Sequence, residues 1–540
     1  MYKIGAFTFV LHSHMPYVRL SEKWPHGEEW IHEAITETYI PLIGALNQLR
    51  KEDVRFQLTL GITPILAEQL ADELVLTNFA SYLQNKIAVS QQDYERFHNE
   101  SKPELAQLAH WYHTRFSNVL RLFEHDLQRD IIGGFRSLEQ SGHIEIITSA
   151  ATHAYLPLLS SPASIHAQLQ TGIQTHQRLF HTTPKTIWLP ECGYRPGLEA
   201  YLHQYGLKLF FSETHAVTGG EPIGIAAGDN FITPYNIINE KFNVPKSGSP
   251  ARPMTTYLPY QVGASPIAVI GRNHQTGYQV WSNSWGYPGD YDYREFHKRD
   301  SVSGLQYWRI THNQSPLDKK EVYHPEWASY KVEQHAEHFT HMVGDLLRNF
   351  HDNAQEYGII ASNYDTELFG HWWLEGIDWI QMVLRYMSAS PQIELMSAKN
   401  YLLHHPNEEA IQLPESSWGT GGLHFTWQNE QTQWVWETIH QAEQRLLTVI
   451  QNCPAPNADQ TLVLNQALRE LLLLQSSDWS FLITTGQAEA YATKRIQQHR
   501  DRFYRLLDSL EGSPDVALAI EAWEQDKVFP DIDFHWYVAG

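Results

Sequence analysis

The sequence predicts an α/β protein whose central sheet is parallel. Short apolar runs recur along the chain, each ends in polar, aromatic, Pro or Gly residues, and helical stretches separate them. Continuous apolar runs are typical of strands buried on both faces, and alternation with helices implies parallel strands. Seven or eight such units predict a (β/α) barrel, complete or irregular, with a doubly wound open sheet as the alternative. The predicted strands are Ile4–Leu11, Val54–Leu60, Ile144–Thr148, Thr186–Leu189, Leu207–Phe211, Ile267–Ile270, Ile359–Ser362 and Ile393–Met396.

Polar and ionisable residues follow the predicted strands, where each strand ends. Barrel enzymes collect their catalytic groups from the carboxyl ends of several strands, and this placement favours the barrel over the open sheet. In strand order, the residues concerned are His12 and His14, His153 and Tyr155, Glu191, Glu213 and His215, Arg272, and Asp365.

Three segments depart from the alternation. Residues 71–138 have the pattern of polar helices and predict an insertion. Residues 216–262 are rich in Gly, Pro and Asn without periodicity, which is typical of a lid or binding loop. After about residue 428 the pattern is purely helical. We therefore predict a catalytic barrel formed by residues 1–70 and 139–427, a helical insertion at 71–138 and a C-terminal helical domain at 428–540.

Charge and composition exclude several classes of partner. The formal net charge of −22 disfavours nucleic acid and anionic lipid, which need basic surfaces. We find no apolar run that could span a bilayer, and the apolar N-terminal run lacks a signal-peptide cleavage site. Only two cysteines are present, which fits a reducing compartment. A cytoplasmic protein is expected, with no nucleic-acid or membrane partner and with its oligomeric state open.

The aromatic content is compatible with a neutral carbohydrate substrate. The chain contains 18 Trp, 27 Tyr and 22 Phe. Aromatic rings are usually core material, and most of the Phe fit that interpretation. Trp residues beside Gly, His and Asp in predicted loops fit equally well as platforms for sugar rings.

Two motifs each place a carboxylate at a strand end. Trp188–Tyr194 contains Glu191 between Pro and Cys, and Asn363–Trp373 contains Asp365 before a turn and an aromatic cluster. Cleavage of a glycosidic bond needs two carboxylates across the anomeric carbon. Glu367 lies in the same motif as Asp365, and the sequence leaves open which of the two points into the site.

The pair His12 and His14 has two interpretations. Residues two apart on a strand share a face, so both imidazoles could bind one metal ion with Asp365 or Glu191, as in a metal-dependent hydrolase or deacetylase. The alternative is that they bond substrate hydroxyls or orient a carboxylate. The absence of an HExxH or paired-Cys motif favours the second interpretation. No phosphate-binding loop or dinucleotide fingerprint is found, so nucleotide use is not expected.

Taken together, these motifs resemble glycoside hydrolase family 57, and within it the 1,4-α-glucan branching enzymes. The resemblance covers nearly the whole chain. The segments that carry it are His12–Tyr17, Gly142–Ile146, Trp188–Tyr194, Tyr364–Trp373, Ser417–Gly419 with Gly421 and Gly422, Gly286–Asp290, Ser477–Trp479 and Thr485–Glu489.

The resemblance implies an irregular (β/α)7 barrel with a helical insertion and a C-terminal α-helical domain. It implies that Glu191 is the nucleophile and Asp365 the proton donor of a retaining reaction on α-1,4-glucan, with no metal and no organic cofactor. It further implies two sets of substrate-binding residues. The first is Arg272, Gly289, Trp418, Asp478 and Gln487; the second, with a weaker warrant, is His12, His14, His153 and Trp281.

One feature departs from the family pattern. Branching enzymes of this family have a tyrosine near the tip of a mobile loop, which transfer requires. The corresponding stretch, residues 243–249, has none, and only Tyr235 and Tyr257 flank it. An α-glucan hydrolase, a 4-α-glucanotransferase or a glucan-binding protein with weak activity therefore remain as alternatives to branching.

Overall fold

The protein is built around a curved, mainly parallel sheet, seen in a computed structural model that describes residues 3–21, 27–222, 238, 241–246, 248–282, 286–312, 314–406 and 408–537. In chain order its strands are β1 Gly5–Ser13, β2 Leu58–Ile62, β3 Ile144–Ser149, β4 Thr186–Trp188, β5 Leu209–Ser212, β6 Pro259–Val262, β7 Ala268–Gly271, β8 Gly358–Asp365, β9 Ile393–Leu395 and β10 Ala410–Ile411. The spatial order of the strands is β10-β6-β7-β5-β4-β3-β2-β1-β8, and β9 also pairs with β1. Every pair is parallel except β6 with β7.

The sheet curls until its two ends meet. Just after β7, the backbone N–H of Asn273 donates to the carbonyl of Ala361 in β8 at 3.0 Å, and Ile359 of β8 donates to the carbonyl of Tyr257 before β6 at 2.8 Å. The run of parallel strands from β7 through β5, β4, β3, β2 and β1 to β8 contains seven members. The prediction of an α/β fold with an irregular (β/α)7 barrel is confirmed, because a doubly wound open sheet has no such closure.

β1 is buried along its whole length: all nine of its residues are buried. β8 pairs with β1 from Gly5 to His12, while β2 pairs with it only from Val10 to Ser13. β9, the last predicted strand, pairs with residues 5–7 of β1 and so occupies the edge that β2 leaves open.

The helices connect the strands of the sheet, and further helices follow the last strand. The α-helices are α1 Glu28–Ala34, α2 Ile40–Lys51, α3 Pro64–Ala71, α4 Glu73–Asn99, α5 Pro103–Arg121, α6 Ile131–Gln140, α7 Pro162–Phe180, α8 Leu198–Gln204, α9 Thr214–Thr218, α10 His274–Trp281, α11 Pro325–Ala354, α12 Gly376–Ala389, α13 Ala398–His404, α14 Gln433–Asn452, α15 Ala458–Leu474, α16 Ser477–Thr485, α17 Glu489–Ser509 and α18 Val516–Gln525. π-Helical turns at Ile35–Tyr39 and Leu122–Asp126 follow α1 and α5.

Two large apolar cores hold the helices against the sheet. One core joins β1 and β2 to the helices between residues 28 and 140 and to α11 and α12. The other joins β4 and β5 to α7 and to the helices between residues 433 and 537. The predicted insertion at 71–138 consists of helices, as does most of the chain after residue 433; the domain boundaries themselves stay a prediction.

In the described part of the chain, no helix has both the length and the apolar character that crossing a bilayer would require.

Close approach of α7 to β3 yields a prediction on stability. A Cβ atom added to Gly172 would lie 2.5 Å from the carbonyl oxygen of Ser149, whereas one added to Gly344 in α11 would meet nothing closer than 3.8 Å. Gly172→Ala should lower the free energy of unfolding by about 1–3 kcal/mol through overpacking. Gly344→Ala, the matched control, should raise it by up to about 1 kcal/mol through helix propensity.

Denaturant unfolding of both variants measures these changes. A Gly172→Ala protein at least as stable as the Gly344→Ala protein would contradict the close packing of α7 on β3.

Candidate active site

Glu191 lies on a tight turn directly after β4. It has φ 62° and ψ 24°, in the left-handed region that residues other than glycine rarely adopt. Trp418 holds this turn twice: its backbone N–H donates to the carbonyl of Glu191 at 3.1 Å, and its indole Nε1–H donates to Oε2 of Glu191 at 2.7 Å. The strained backbone and the carboxylate are therefore fixed by the same partner.

Asp365 is the last residue of β8 and is paired in register with His12 of β1. Glu367, two residues later, is 7% exposed, and its Oε1 accepts hydrogen bonds from the Tyr39 hydroxyl and from the His14 backbone N–H. Among the described residues, none donates a hydrogen bond to the Asp365 side chain. Asp365 is therefore the carboxylate of this motif that is available to a substrate oxygen.

Burial raises the pKa of both candidate carboxyls. The pKa of Glu191 rises to about 7, because burial and the charge of Asp365 outweigh the indole donor of Trp418. The pKa of Asp365 rises to about 6 through burial, against the opposing charge of His14. Two carboxyl groups that titrate close to neutral pH can carry one proton between them, as acid/base catalysis requires.

Three histidines from two strand ends form a compact group beside Glu191. Nε2 of His12 lies 3.0 Å from Nε2 of His153. The ring of His153 stacks on that of His14 with centroids 3.9 Å apart, and His12 stacks on Trp188 at 4.7 Å. Burial, and then the neighbouring charge of His14, hold the pKa of both His12 and His153 well below its usual range. Both rings are neutral at physiological pH.

His14 differs from its two neighbours because it has an acidic partner. Its Nε2 donates to Oδ1 of Asp478 at 3.0 Å, and its Nδ1 lies 3.0 Å from the Thr63 hydroxyl. Burial disfavours the charged ring, but the carboxylate of Asp478 outweighs it and raises the pKa of His14. Asp478 also accepts from Ser476 at 2.6 Å. Because Asp478 belongs to α16, the C-terminal helices contribute directly to this site.

A second group of residues near the carboxylates lies at the end of β7. Nη1 of Arg272 donates to Oε2 of Glu213 at 3.2 Å, and its guanidinium lies 6.0 Å from the ring centre of Trp281. Burial opposes ionisation of Glu213, but Arg272 lowers its pKa and keeps it charged. Arg272 also opposes the rise in the pKa of Asp365, so the two residues are near each other.

Two predicted glucan-binding residues, Gly289 and Gln487, are not linked to the catalytic carboxylates by described contacts. Gly289 ends the short turn Tyr287–Gly289, which packs on α11 through Tyr287 and His335 with ring centroids 4.5 Å apart. Gln487 is exposed beyond the end of α16. No contact between described residues joins either one to Glu191 or Asp365, so their contact with substrate stays a prediction.

Sequence reasoning missed three hydroxyl groups in the site. They belong to Thr63, Ser476 and Ser477. Ser477 begins α16, and its Oγ lies 2.9 Å from Nδ1 of His153 and 3.3 Å from Oε1 of Glu191. In the sequence, Ser477 stands out only as the neighbour of Asp478. The available signal was a serine at the start of a predicted helix, a position that many serines occupy for capping alone.

One group of donors near the carboxylates is compact enough to surround a cation. His14, His153 and Asp478 offer atoms within 4.8 Å of one another, whereas the set considered from the sequence was His12 with His14. His14 already binds Asp478, and both nitrogens of His153 have hydrogen-bond partners. These hydrogen bonds engage the donors of the group with one another and with neighbouring residues, so we assign no metal to it. A similar buried group, in the C-terminal helices, is Glu470, His499 and Asp526.

The described part of the long 216–262 segment lies beside the site. The ring of Phe242 is 5.2 Å from that of Phe425. The carbonyl oxygen of Pro245 is 2.4 Å from where a Cβ of Gly421 would stand. Residues 241–246 thus pack on the glycine turn that follows Trp418. Tyr235 lies outside the described residues.

Two family models match the chain. The family model of glycosyl hydrolase family 57 matches residues 8–414. A second family model, described as 1,4-alpha-glucan branching enzyme, C-terminal, matches residues 438–537.

Similar proteins cover the chain almost completely. A 1,4-alpha-glucan branching enzyme of Thermococcus kodakarensis is 40% identical over 99% of this chain and 79% of its own length. A GH57-type branching enzyme from Pyrococcus horikoshii has a solved structure with a TM-score of 0.88 at 39% identity, covering 99% of this chain and 97% of that one. The alpha-amylase AmyC of Thermotoga maritima gives a TM-score of 0.84 at 29% identity, with 99% of each chain covered. Because a family model matches most of its length, this chain belongs to glycosyl hydrolase family 57.

Proposed function

We propose that this protein is a 1,4-α-glucan branching enzyme, a retaining transglycosylase that cleaves an α-1,4 link and forms an α-1,6 branch. The observation that carries the proposal is a site in which Glu191 and Asp365 stand at two strand ends and Asp478 enters from the C-terminal helices. The similarity of that C-terminal region to branching enzymes, and of the whole chain to a branching enzyme at 40% identity, supports it.

In the first step, Glu191 attacks the anomeric carbon while Asp365 gives its proton to the departing glycosidic oxygen. The glycosidic bond breaks, a bond to Glu191 forms, and the non-reducing part of the chain stays as a covalent glucosyl-enzyme. In the second step, Asp365 takes the proton of an incoming glucan 6-hydroxyl, whose oxygen displaces Glu191. The configuration at the anomeric carbon is inverted twice and so retained.

This sequence requires Glu191 to be ionised and Asp365 protonated at the start. The order of the two pKa values, about 7 and about 6, would by itself leave the shared proton on Glu191. The pKa of Glu191 already reflects the donor of Trp418, and Ser477 donates to the same carboxylate. A glycosidic oxygen bound at Asp365 favours the productive arrangement, since it accepts a hydrogen bond only from the protonated carboxyl. The two carboxyls titrate as a coupled pair.

Around the carboxylates we propose a site for α-1,4-glucan. Arg272 and Trp281 form one wall, Trp418 and Asp478 lie at the other, and His12, His14 and His153 lie between them. Gly289 and Gln487 extend the set on the strength of the motif resemblance. We also infer a cytoplasmic protein divided into a barrel, a helical insertion at 71–138 and a C-terminal domain from residue 428, and we infer no metal or organic cofactor.

Hydrolysis is the second candidate function. The similarity to the Thermotoga maritima alpha-amylase at a TM-score of 0.84 favours it, as does the lack of tyrosine in residues 243–249. In hydrolysis the same glucosyl-enzyme is intercepted by water instead of a 6-hydroxyl, so the two reactions share Glu191 and Asp365.

Product analysis on linear amylose tests the proposed function directly. We expect new α-1,6 linkages together with some new reducing ends, because no tyrosine of residues 243–249 covers the glucosyl-enzyme. The reducing ends released by a debranching enzyme count the α-1,6 linkages, and a reducing-end assay before debranching counts hydrolysis. Reducing ends without any α-1,6 linkage would reject branching and leave the hydrolase.

The partition between the two products should respond to the loop. Val244 and Pro245 lie against the turn at Gly421. At least one single tyrosine substitution across residues 243–249 should raise the ratio of branches to reducing ends. Tyrosine at Lys102, in the helical insertion, is a control that should leave the ratio unchanged. An unchanged ratio at all seven positions would mean that this stretch does not govern transfer.

Substitution of the carboxylates tests their separate roles. Glu191→Gln should reduce activity by about 10⁴-fold or more, because no covalent intermediate forms. Asp365→Asn should reduce it by about 10²–10⁴-fold, and added azide should partly restore turnover of a donor with a good leaving group, since azide needs no general base. Glu367→Gln is the matched control and should retain acid/base catalysis. Azide rescue of Glu367→Gln instead of Asp365→Asn would exchange the two assignments.

The pH profile of kcat/KM should be bell-shaped with its maximum between about 6 and about 7. Below this range both carboxyls are protonated and Glu191 cannot attack; above it both are ionised and Asp365 has no proton to give. Trp418→Phe removes the donor to Glu191, so the pKa of Glu191 rises further. Because Glu191 has the higher pKa of the pair, the alkaline limb moves to higher pH and the maximum of kcat/KM falls.

The control is Trp281→Phe, which removes an indole N–H that is bonded to no described residue. It should leave the alkaline limb in place even if substrate binding weakens. An alkaline limb that is unmoved in Trp418→Phe would argue against Glu191 as the carboxyl with the higher pKa.

A further inference from the structure

Four residues from the barrel and the C-terminal helices form a continuous chain of hydrogen bonds that ends on Glu191. Nε2 of His12 lies 3.0 Å from Nε2 of His153, and Nδ1 of His153 lies 2.9 Å from Oγ of Ser477. Oγ of Ser477 lies 3.3 Å from Oε1 of Glu191. His12, His153 and Ser477 are each no more than 2% exposed, so this chain has little competition from water.

The position of each proton in this series of hydrogen bonds follows from the charge state of Glu191. An ionised Glu191 can only accept, so Ser477 donates to it. Ser477 must then accept from Nδ1–H of His153, which leaves Nε2 of that ring as an acceptor. His12 therefore donates from Nε2–H. Both rings are neutral, and each neutral ring has one donor and one acceptor nitrogen, so the assignment is complete.

The far end of the chain supports this direction. Nδ1 of His12 is buried and has no hydrogen-bond partner among the residues that the structure describes. With Glu191 ionised, that nitrogen is unprotonated and offers only a lone pair. With Glu191 protonated and the chain reversed, it would be a buried N–H without an acceptor, which is the rarer and less favourable of the two situations in proteins.

We propose that Ser477 is a positioning residue for the nucleophile, which the C-terminal helices supply to orient the carboxylate of Glu191 and to favour its ionised form. The role rests on the proposed function of Glu191. Ser477 acts on one carboxylate oxygen while Trp418 acts on the other. Both oxygens are thereby held by donors, and the direction of attack is fixed.

The same arrangement explains why the barrel needs the helical region for chemistry. The backbone N–H of Ser477 donates to the carbonyl of His153 at 3.1 Å, and Ser476 forms an antiparallel bridge with Ala154. Since Ser477 is the first residue of α16, the positive end of that helix dipole also faces Glu191. Docking of α16 on the barrel therefore sets both the geometry and the charge of the nucleophile.

The test measures the first half-reaction alone, with the full-length protein. A 2-deoxy-2-fluoro glucosyl fluoride donor traps the glucosyl-enzyme, and intact mass with peptide mapping gives the rate and the site of labelling. In Ser477→Ala we expect the maximal labelling rate to fall about 10- to 100-fold, the usual effect of losing one hydrogen bond to a charged group. The donor concentration that gives half the maximal rate should change little, because Ser477 acts on Glu191 and not on the sugar.

Two further variants separate this role from a structural one. Ser477→Cys keeps the side-chain volume but has only a weak donor, and it should slow labelling nearly as much as alanine does. Ser480→Ala is the matched control: Ser480 is a buried serine one turn further along α16 whose hydroxyl donates to the backbone carbonyl of Ser477 at 3.2 Å. It should label at the wild-type rate.

Labelling of Ser477→Ala or Ser477→Cys at the rate of Ser480→Ala would overturn the positioning role while leaving the proposed function intact. Labelling of a wild-type carboxylate other than Glu191 would overturn both. A folded Ser477→Ala protein whose only change is weaker donor binding would likewise reject the role.

Discussion

Trp418 holds Glu191 by two hydrogen bonds, one to the backbone carbonyl at 3.1 Å and one to the carboxylate at 2.7 Å, and the geometry of the site depends on this double contact. The left-handed backbone of Glu191 is unfavourable by itself. It persists because the turn after β4 is tied to the segment containing Ser417–Gly422, which lies far away in the sequence. The strain aims the carboxylate inward, toward Asp365 and the histidines, instead of along the strand direction.

The site also depends on how the C-terminal helices pack against the barrel. Thr152 donates to the carbonyl of Leu472, and Ala154 pairs with Ser476. These contacts fix the start of α16, from which Ser477 and Asp478 reach the histidines. Neither half of the protein contains a complete site. The apolar core shared by β4, β5, α7 and the C-terminal helices supplies the rigidity that such a divided site needs.

The sequence predicted what depends on local pattern and left out what depends on long-range pairing. The long buried strands β1 and β8 are predictable because each is a continuous apolar run. Glu191 and Asp365 are candidates from the sequence because their motifs are compact. β6 and β10 are not predicted, because they have only four and two residues and contain no long apolar run. The second strand begins at Leu58 and not at Val54, because its pairing with β3 begins there. Ser477 was missed because its role exists only once α16 docks on the barrel.

Buried charge in the site is balanced group by group, and this balance explains the behaviour of the catalytic pair. His14 is paired with Asp478, and Arg272 with Glu213. Burial raises the pKa of Glu367 to about 8, so this carboxyl is neutral below that pH. With those groups compensated, the described residues offer no further cation paired with Glu191 or Asp365. Glu191 and Asp365 therefore share one proton and one negative charge, which is the state from which a nucleophile and an acid can act together.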